Sequence, residues 1–352
     1  MSRILVLCAL AALAVGVRAD GPGPLFRVVK DGKWGYVDAT GRLVIPPRFD
    51  RAEPFSEGLA AVKLGRTLGY ADASGEVVLV PRFEPGGTLL HRPFASGLAA
   101  VRSAGRYGFM DRKGDLAIPA RYIAVGDFSE GFALACVEQG CGYVDASGRG
   151  VVPPSFMASR PVKGGLACGT TAMAMSRERV QLVFVSGRKI EGTFEGCGAL
   201  SEGLVAVRLA DRWGYLDESG RPAIPLRFAW AGDFSGGLAP AQEVSGGCGY
   251  VDRGGRFVIP PRFGECAPFA GDRARVDLEP DPHGADRVAF IDRTGKVVFA
   301  GADLDPPFDA AEDFSNGLAA VGSGGPPHLA GAGGPWLGYV DAGGRYVWMP
   351  TH

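Results

Sequence analysis

Beyond its first residues the chain has no apolar run near the roughly 20 residues that a membrane-spanning helix needs, so no span is expected in the mature protein. It also lacks net charge: 37 Lys and Arg face 38 Asp and Glu, a balance of -1 that excludes a nucleic-acid partner held by a general positive field. Histidine is sparse, with His91, His283, His328 and His352 scattered along 352 residues. No Cys-x-x-Cys pair lies near any of them, so no zinc ligand set is legible and no metal is expected. There is no G-x-S-x-G elbow and no phosphate-cradling glycine loop. The acidic run Asp277, Glu279, Asp281, Asp286 lacks the glycine and closing glutamate of an EF-hand. Catalytic residues and cofactors are therefore not expected.

What is abundant is glycine, 55 residues, and proline, 26, without a collagen-like period of three. With 46% hydrophobic residues and 20 Phe, 9 Tyr and 5 Trp, the chain carries enough apolar surface to fold, so the composition indicates many tight turns rather than disorder. The opening MSRILVLCALAALAVGVRADG has a basic start at Arg3, an apolar stretch from Ile4 to Val17 and a cleavage-compatible V-R-A ending at Ala19. Residues 1–19 are expected to be a signal peptide and 20–352 a single exported domain, periplasmic or extracellular. Six cysteines remain after cleavage: Cys136, Cys141, Cys168, Cys197, Cys248 and Cys266. In an exported chain they are expected as disulfides, with the pairing 136 to 141, 168 to 197 and 248 to 266 preferred among the fifteen possible.

Internal repetition dominates the sequence. Three signatures recur in fixed order: G-[YF]-x-D-x-x-G, as at Gly35 and Gly214; I-P-P-R-F, as at Ile45 and Ile259; and F-S-E-G-L-A, as at Phe55 and Phe128. Nine units result, starting near residues 25, 59, 98, 132, 166, 204, 238, 273 and 318. Each reads as a three-stranded antiparallel meander. A hairpin joins the first two strands, and an Asp-x-x-Gly turn joins the next two because Asp accepts nearby N–H groups and Gly takes the left-handed conformation. The third strand is expected to stop at its proline, which cannot donate to a ladder. The connecting segment, such as FDRAEPF, is a candidate short fourth strand. A lone meander of this size is marginal in water, so neighbouring units must stack through their Tyr and Phe residues.

These motifs resemble the tryptophan-glycine (WG) repeat proteins of bacteria, with W-G-[YF]-[IV]-D-x-x-G, an I-P-x-x-[FY] element and F-x-[ED]-G-[LR]-A. The resemblance covers residues 25 to 350. Only Trp34 and Trp213 hold the tryptophan position, while Leu68, Tyr107, Cys141, Leu182, Cys248, Val288 and Leu337 fill the others. The resemblance implies an all-β repeat array, often exported or envelope-associated, and brings no catalytic residues. An open curved solenoid is favoured because no strand is left to swap between the chain ends; a β-propeller-like ring is the alternative.

The repeated Asp and Ser residues are turn formers on this reading. The repeated arginines Arg48, Arg82, Arg121, Arg227 and Arg262 are expected either to pair with Glu57, Glu130 or Glu202 or to form an anion-reading stripe. The hairpin between first and second strands is enlarged at 169–181, 277–287 and 322–336. Equivalent turns share one edge of a repeat array, which makes Arg177, Arg179, His283, His328 and Trp336 binding candidates. The function these features favour is a non-catalytic exported scaffold for a protein or an envelope polysaccharide. An enzyme with its site in the irregular loops and a purely structural spacer are the alternatives.

Overall fold

The computed structural model describes residues 23–351 apart from 88–89, 175–176, 245, 279–286, 326 and 330–335. Nine antiparallel sheets follow one another along the chain, each a meander in sequence order. Their first long strands are Leu25–Lys30, Ala60–Leu64, Ala99–Ser103, Phe132–Val137, Leu166–Ala174, Leu204–Leu209, Ala239–Gln242, Ala274–Leu278 and Leu318–Ser323. These sheets are called blades one to nine below. Among the described residues no α-helix occurs, only two single 3₁₀ turns at Gly301–Asp303 and Pro327–Leu329.

The connecting segment does form a fourth strand, but on the following blade. Arg51–Ala52, leaving blade one, pairs with Ala60–Leu64 of blade two, and the same hand-over recurs around the molecule. Two backbone bonds fix it: the Asp50 N–H donates to the Lys63 carbonyl at 2.8 Å and the Glu53 N–H to the Ala61 carbonyl at 2.9 Å.

The third strand does not stop at proline as the sequence leads one to expect. In blade one it runs from Leu43 through Pro46 and Pro47 to Phe49. Its pairing jumps from Tyr36↔Ile45 to Trp34↔Phe49, a bulge that takes both prolines out of the ladder on an exposed edge strand. The bulge also explains the glycine of the first signature. A Cβ on Gly35 would lie 2.4 Å from the Ile45 carbonyl oxygen, so no side chain fits beneath the crossing Ile-Pro-Pro backbone.

Blades lock together through the repeated residues. The glycine closing each Asp-x-x-Gly turn has φ near +80° to +90° and sits against the third strand of the preceding blade. A Cβ on Gly75, Gly220, Gly255 or Gly295 would meet Ile45, Ile190, Ile224 or Ile259 at 2.7 to 2.9 Å. The buried tyrosines reach forward: the Tyr36 hydroxyl donates to the Glu53 carbonyl at 2.6 Å, and Tyr215 and Tyr250 do the same to Gly232 and Ala267 at 2.7 Å. Each Phe of F-S-E-G packs on the aromatic ring of the preceding blade, as in Tyr36–Phe55 at 4.7 Å and Tyr215–Phe234 at 4.9 Å. The serine hydroxyl beside it donates to the next such carbonyl, Ser56 to Phe94 at 2.6 Å and Ser201 to Phe234 at 2.7 Å.

The same contacts join blade nine to blade one, so the array is a closed, propeller-like ring, not the open solenoid favoured from the sequence. Gly41 of blade one abuts Val347 of blade nine, Phe26 packs edge-on to Tyr339 at 5.4 Å, and one buried cluster holds Val28, Tyr36, Leu318 and Leu337 together. The Tyr339 hydroxyl donates to the Arg27 carbonyl at 2.9 Å and the Thr351 hydroxyl to the Val29 carbonyl. These carbonyls correspond to Ala61 and Lys63. Among the described residues, side-chain hydroxyls thus take the acceptors that the N–H groups of a short strand take on blade two.

The disulfides pair as expected, 136–141, 168–197 and 248–266. The first staples two paired strands of blade four. The other two tie a blade's strand to the segment leading into the next blade, where each is expected to contribute about 2–4 kcal/mol.

Two outcomes follow for stability. Gly41→Ala should cost about 2–4 kcal/mol in urea unfolding, because a left-handed residue and a backbone clash coincide there. Gly58→Ala, at a similar φ with nothing within 4 Å, should cost only about 1 kcal/mol. The turn aspartates give the second. The Thr40 hydroxyl and neighbouring N–H groups hold Asp38 at about 2, the Ser147 hydroxyl does the same for Asp145, and Asp72, Asp217 and Asp292 are lowered by matching bonds. A carboxyl lowered in the folded state stabilises fully above its unfolded value and loses that contribution as pH falls through the folded one. The melting temperature should therefore hold from pH 7 to about 5 and fall between about pH 4 and 2, and Asp38→Asn should lessen the fall.

Candidate functional site

A meander of this order gives the ring two unlike faces. At one end of every blade lie the Asp-x-x-Gly turns and the F-S-E-G segments. At the other lie the hairpins between first and second strands, with the residues that enter the short strands. The contact of Asp50 with Lys33, 2.6 Å, and with the Gly65 N–H, 2.7 Å, marks that second end.

The turn face is occupied by the ring's own bonding. Glu130 accepts from the Gly164 and Gly165 N–H groups, Glu202 from Gly236 and Gly237, and Glu57 from Gly97, in each case one blade ahead. Arg112 and Arg253 reach back to the Glu57 and Glu202 carbonyls at 2.6 and 2.7 Å. The repeated serines, donating to backbone carbonyls, have the same structural use.

The five arginines of the second signature lie exposed, four on the third strands and Arg82 just beyond its own. They do not pair with Glu57, Glu130 or Glu202. Each lies over the aromatic ring that follows it, at 5.4 Å for Arg48 and Arg82, 5.2 Å for Arg121, 4.8 Å for Arg227 and 5.1 Å for Arg262. Arg121, Arg227 and Arg262 also donate to the Gly148, Gly255 and Gly295 carbonyls of the next blade, and Arg82 pairs with Asp115 at 3.0 Å. The stacking preference of a planar guanidinium and the open turn carbonyl beside it explain why the glutamates, already held by glycine N–H groups, are not the partners.

The described ends of the enlarged hairpins, at Leu278 and Arg287 and at Ser323 and Trp336, lie on the hairpin face. The segment 169–181 is mostly strand, with Leu166–Ala174 and Arg177–Phe184 extending blade five beyond its neighbours. Arg177 lies in its returning strand, and Arg179 is exposed. His283 falls outside the described residues. His328, on the 3₁₀ turn Pro327–Leu329, is exposed with Nδ1 3.6 Å from Glu312, and Trp336, 47% exposed, opens the second strand of blade nine. The Asp309 carboxylate anchors that loop through the Gly324 and Gly325 N–H groups.

Sequence reasoning passed over two features. One is a set of exposed apolar side chains on the hairpin face, Ile123, Met157, Leu209, Trp230 and Val244, which join the expected Trp336 there. The other large exposed apolar residues lie on or beside the third strands, and none sits in an F-S-E-G segment or Asp-x-x-Gly turn. The signal was present at the position of Asp50, where blades four and five carry Ile123 and Met157. The second feature is His91, delivered by a connector five residues longer than that of blade two. It is buried, stacks on Tyr70 at 5.5 Å, leaves Nδ1 without a partner and lines a 520 Å³ cavity. Burial pushes its imidazole down to about 4, so it is neutral at physiological pH.

Among the described residues no group of His, Cys, Asp and Glu could hold a metal, and no helix is long and apolar enough to cross a membrane. The crystal structure of a eukaryotic initiation factor is similar, with a TM-score of 0.61 and 10% identity over 92% of this chain and 94% of that one; it shares the fold. A computationally designed protein, Ika8, aligns with a TM-score of 0.48 and 11% identity over 85% of this chain and 96% of its own. No curated protein matches the chain. Five stretches, residues 34–66, 107–140, 213–243, 249–279 and 289–325, match the family described as "WG containing repeat". With its glycine, tyrosine, proline and phenylalanine signatures each placed in the same contact from blade to blade, the chain belongs to the WG repeat family.

Proposed function

We propose that this protein is an exported, non-catalytic scaffold that binds a protein or an envelope polysaccharide through the hairpin face of its ring. The observation that carries this is the division of labour between the two faces. Carboxylates, hydroxyls and arginines of the turn face are engaged in joining blades, whereas the hairpin face bears the enlarged hairpins and six exposed apolar side chains. Exposed apolar groups gathered on one face, with polar residues around them, are the usual mark of an interaction surface. Export is supported by the leader-like N-terminus and by three disulfides, which persist in oxidising compartments.

The test is capture from envelope extract by the chain starting at Asp20, with disulfides intact. A specific protein or polysaccharide should be retained, and Met157→Ser with Trp336→Ser should reduce retention at least tenfold while shifting stability by only about 0.5 kcal/mol. Retention unchanged by these substitutions, or no retained ligand at all, would contradict the proposal, the latter in favour of a structural spacer.

A further inference from the structure

The hairpin face is not uniform around the ring. Its exposed large apolar side chains sit at blades four to seven and at blade nine, and blades one and two carry none there. In their place stand five cations. Lys30 and Lys33 flank the hairpin of blade one, Lys63 and Arg66 lie at that of blade two, and Arg51 opens the short strand between them. The same segments carry two carboxylates, Asp31 and Asp50.

Asp50 ties the group together in space. Its carboxylate accepts from the Lys33 ammonium at 2.6 Å and from the Gly65 N–H at 2.7 Å, and these bonds, with a weaker attraction from Lys63, hold it below the usual carboxylate range. It thereby answers one cation. Lys30, Arg51, Lys63 and Arg66 have no ion-pair partner among the described residues.

Two contacts within this group oppose folding. Arg51 stands directly opposite Lys63 in the antiparallel ladder, and Lys30 directly opposite Lys33. Side chains so placed share a face of the sheet with Cβ atoms about 5 Å apart, where like charges repel. The ring does not require such a pair, because the equivalent of Arg51 and Lys63 is Glu84 with Arg102 on blade three, Ala124 with Cys136 on blade four and Trp230 with Gln242 on blade seven. A local rule broken with no structural return points to a site.

We propose that the sector of the hairpin face formed by blades one and two binds an acidic polysaccharide, with carboxylates spaced along a hydroxyl-rich chain. This rests on the hairpin face being the binding face, and it gives that face a ligand class. The unpaired cations meet the carboxylates, and Asp31 and Thr67, exposed on the same hairpins, offer hydrogen bonds to hydroxyls. A protein partner fits less well, since protein interfaces are built around an apolar core and this sector presents none. Duplex DNA carries one negative charge per about 1.7 Å of its axis and needs a longer positive surface than two blades of a chain with net charge -1.

The test titrates a fluorescent oligogalacturonate into the chain starting at Asp20 and follows anisotropy, with dextran, polyglutamate and duplex DNA as competitors. Binding should saturate, weaken at least tenfold between about 0.05 and about 0.3 M salt, and yield to each competitor at least tenfold less readily than to unlabelled oligogalacturonate. Arg51→Gln with Lys63→Gln should lower affinity at least tenfold and leave the melting temperature unchanged or higher, because a repulsion is removed. Met157→Ser with Trp336→Ser should leave this affinity unchanged. No saturable binding, affinity indifferent to Arg51→Gln with Lys63→Gln, or stronger competition by polyglutamate or DNA would each overturn the proposal. An envelope ligand still retained through Met157 and Trp336 would then show that the ligand class had failed and the binding face had not.

Discussion

Everything in this molecule depends on how closely one blade can approach the next, and the glycine of the Asp-x-x-Gly turn sets that distance. It takes a left-handed backbone that other residues adopt at a cost, and it leaves room where a single carbon would collide with the neighbour's third strand. With the turn seated there, the aspartate caps its own loop, the tyrosine reaches the next connector and the phenylalanine packs on the preceding ring. A small sheet with one marginal core becomes a member of a continuous one. The repetition of these residues around the chain is therefore a repetition of contacts, which is why substituting one of them weakens a junction rather than a blade.

Much of this was legible in the residues. The nine-fold period, the turn role of Asp and Ser and the packing role of Tyr and Phe follow from the repeated spacing, and the structure realises each of them; it also realises the three cysteine pairs preferred among the fifteen possible. The ring was harder to see because closure is made by ordinary blade-to-blade contacts plus two hydroxyls, Tyr339 and Thr351, and no sequence pattern marks a hydroxyl that takes an acceptor used elsewhere by a strand. Proline misled for a related reason: a rule about ladders does not apply inside a bulge, and the bulge is visible only through the glycine opposite. The glutamate pairing expected for the arginines gives way to a stack on the very next residue and, for Arg121, Arg227 and Arg262, to a glycine carbonyl of the next blade that lies 27 to 33 residues away in sequence. His91 and the exposed Ile123 and Met157 are departures from the repeat, and departures stand out only once the regular position's job is known.

The same logic divides structure from recognition. Residues that recur are consumed by the ring, and those that vary lie on the enlarged hairpins and at the entry to the short strands. A fold of this kind can change its partner without changing its core.

The central claim is that blades nine and one meet as any other pair does. Spin labels at Ala39 and Ala342, equivalent positions in the turns of blades one and nine, give the most direct measurement, with Ala39 and Ala73 on blades one and two as the reference pair. The ring predicts that the two distances agree to within a few ångströms, since each spans one junction. A separation between 39 and 342 several times that of the reference pair would show an open array and contradict the account.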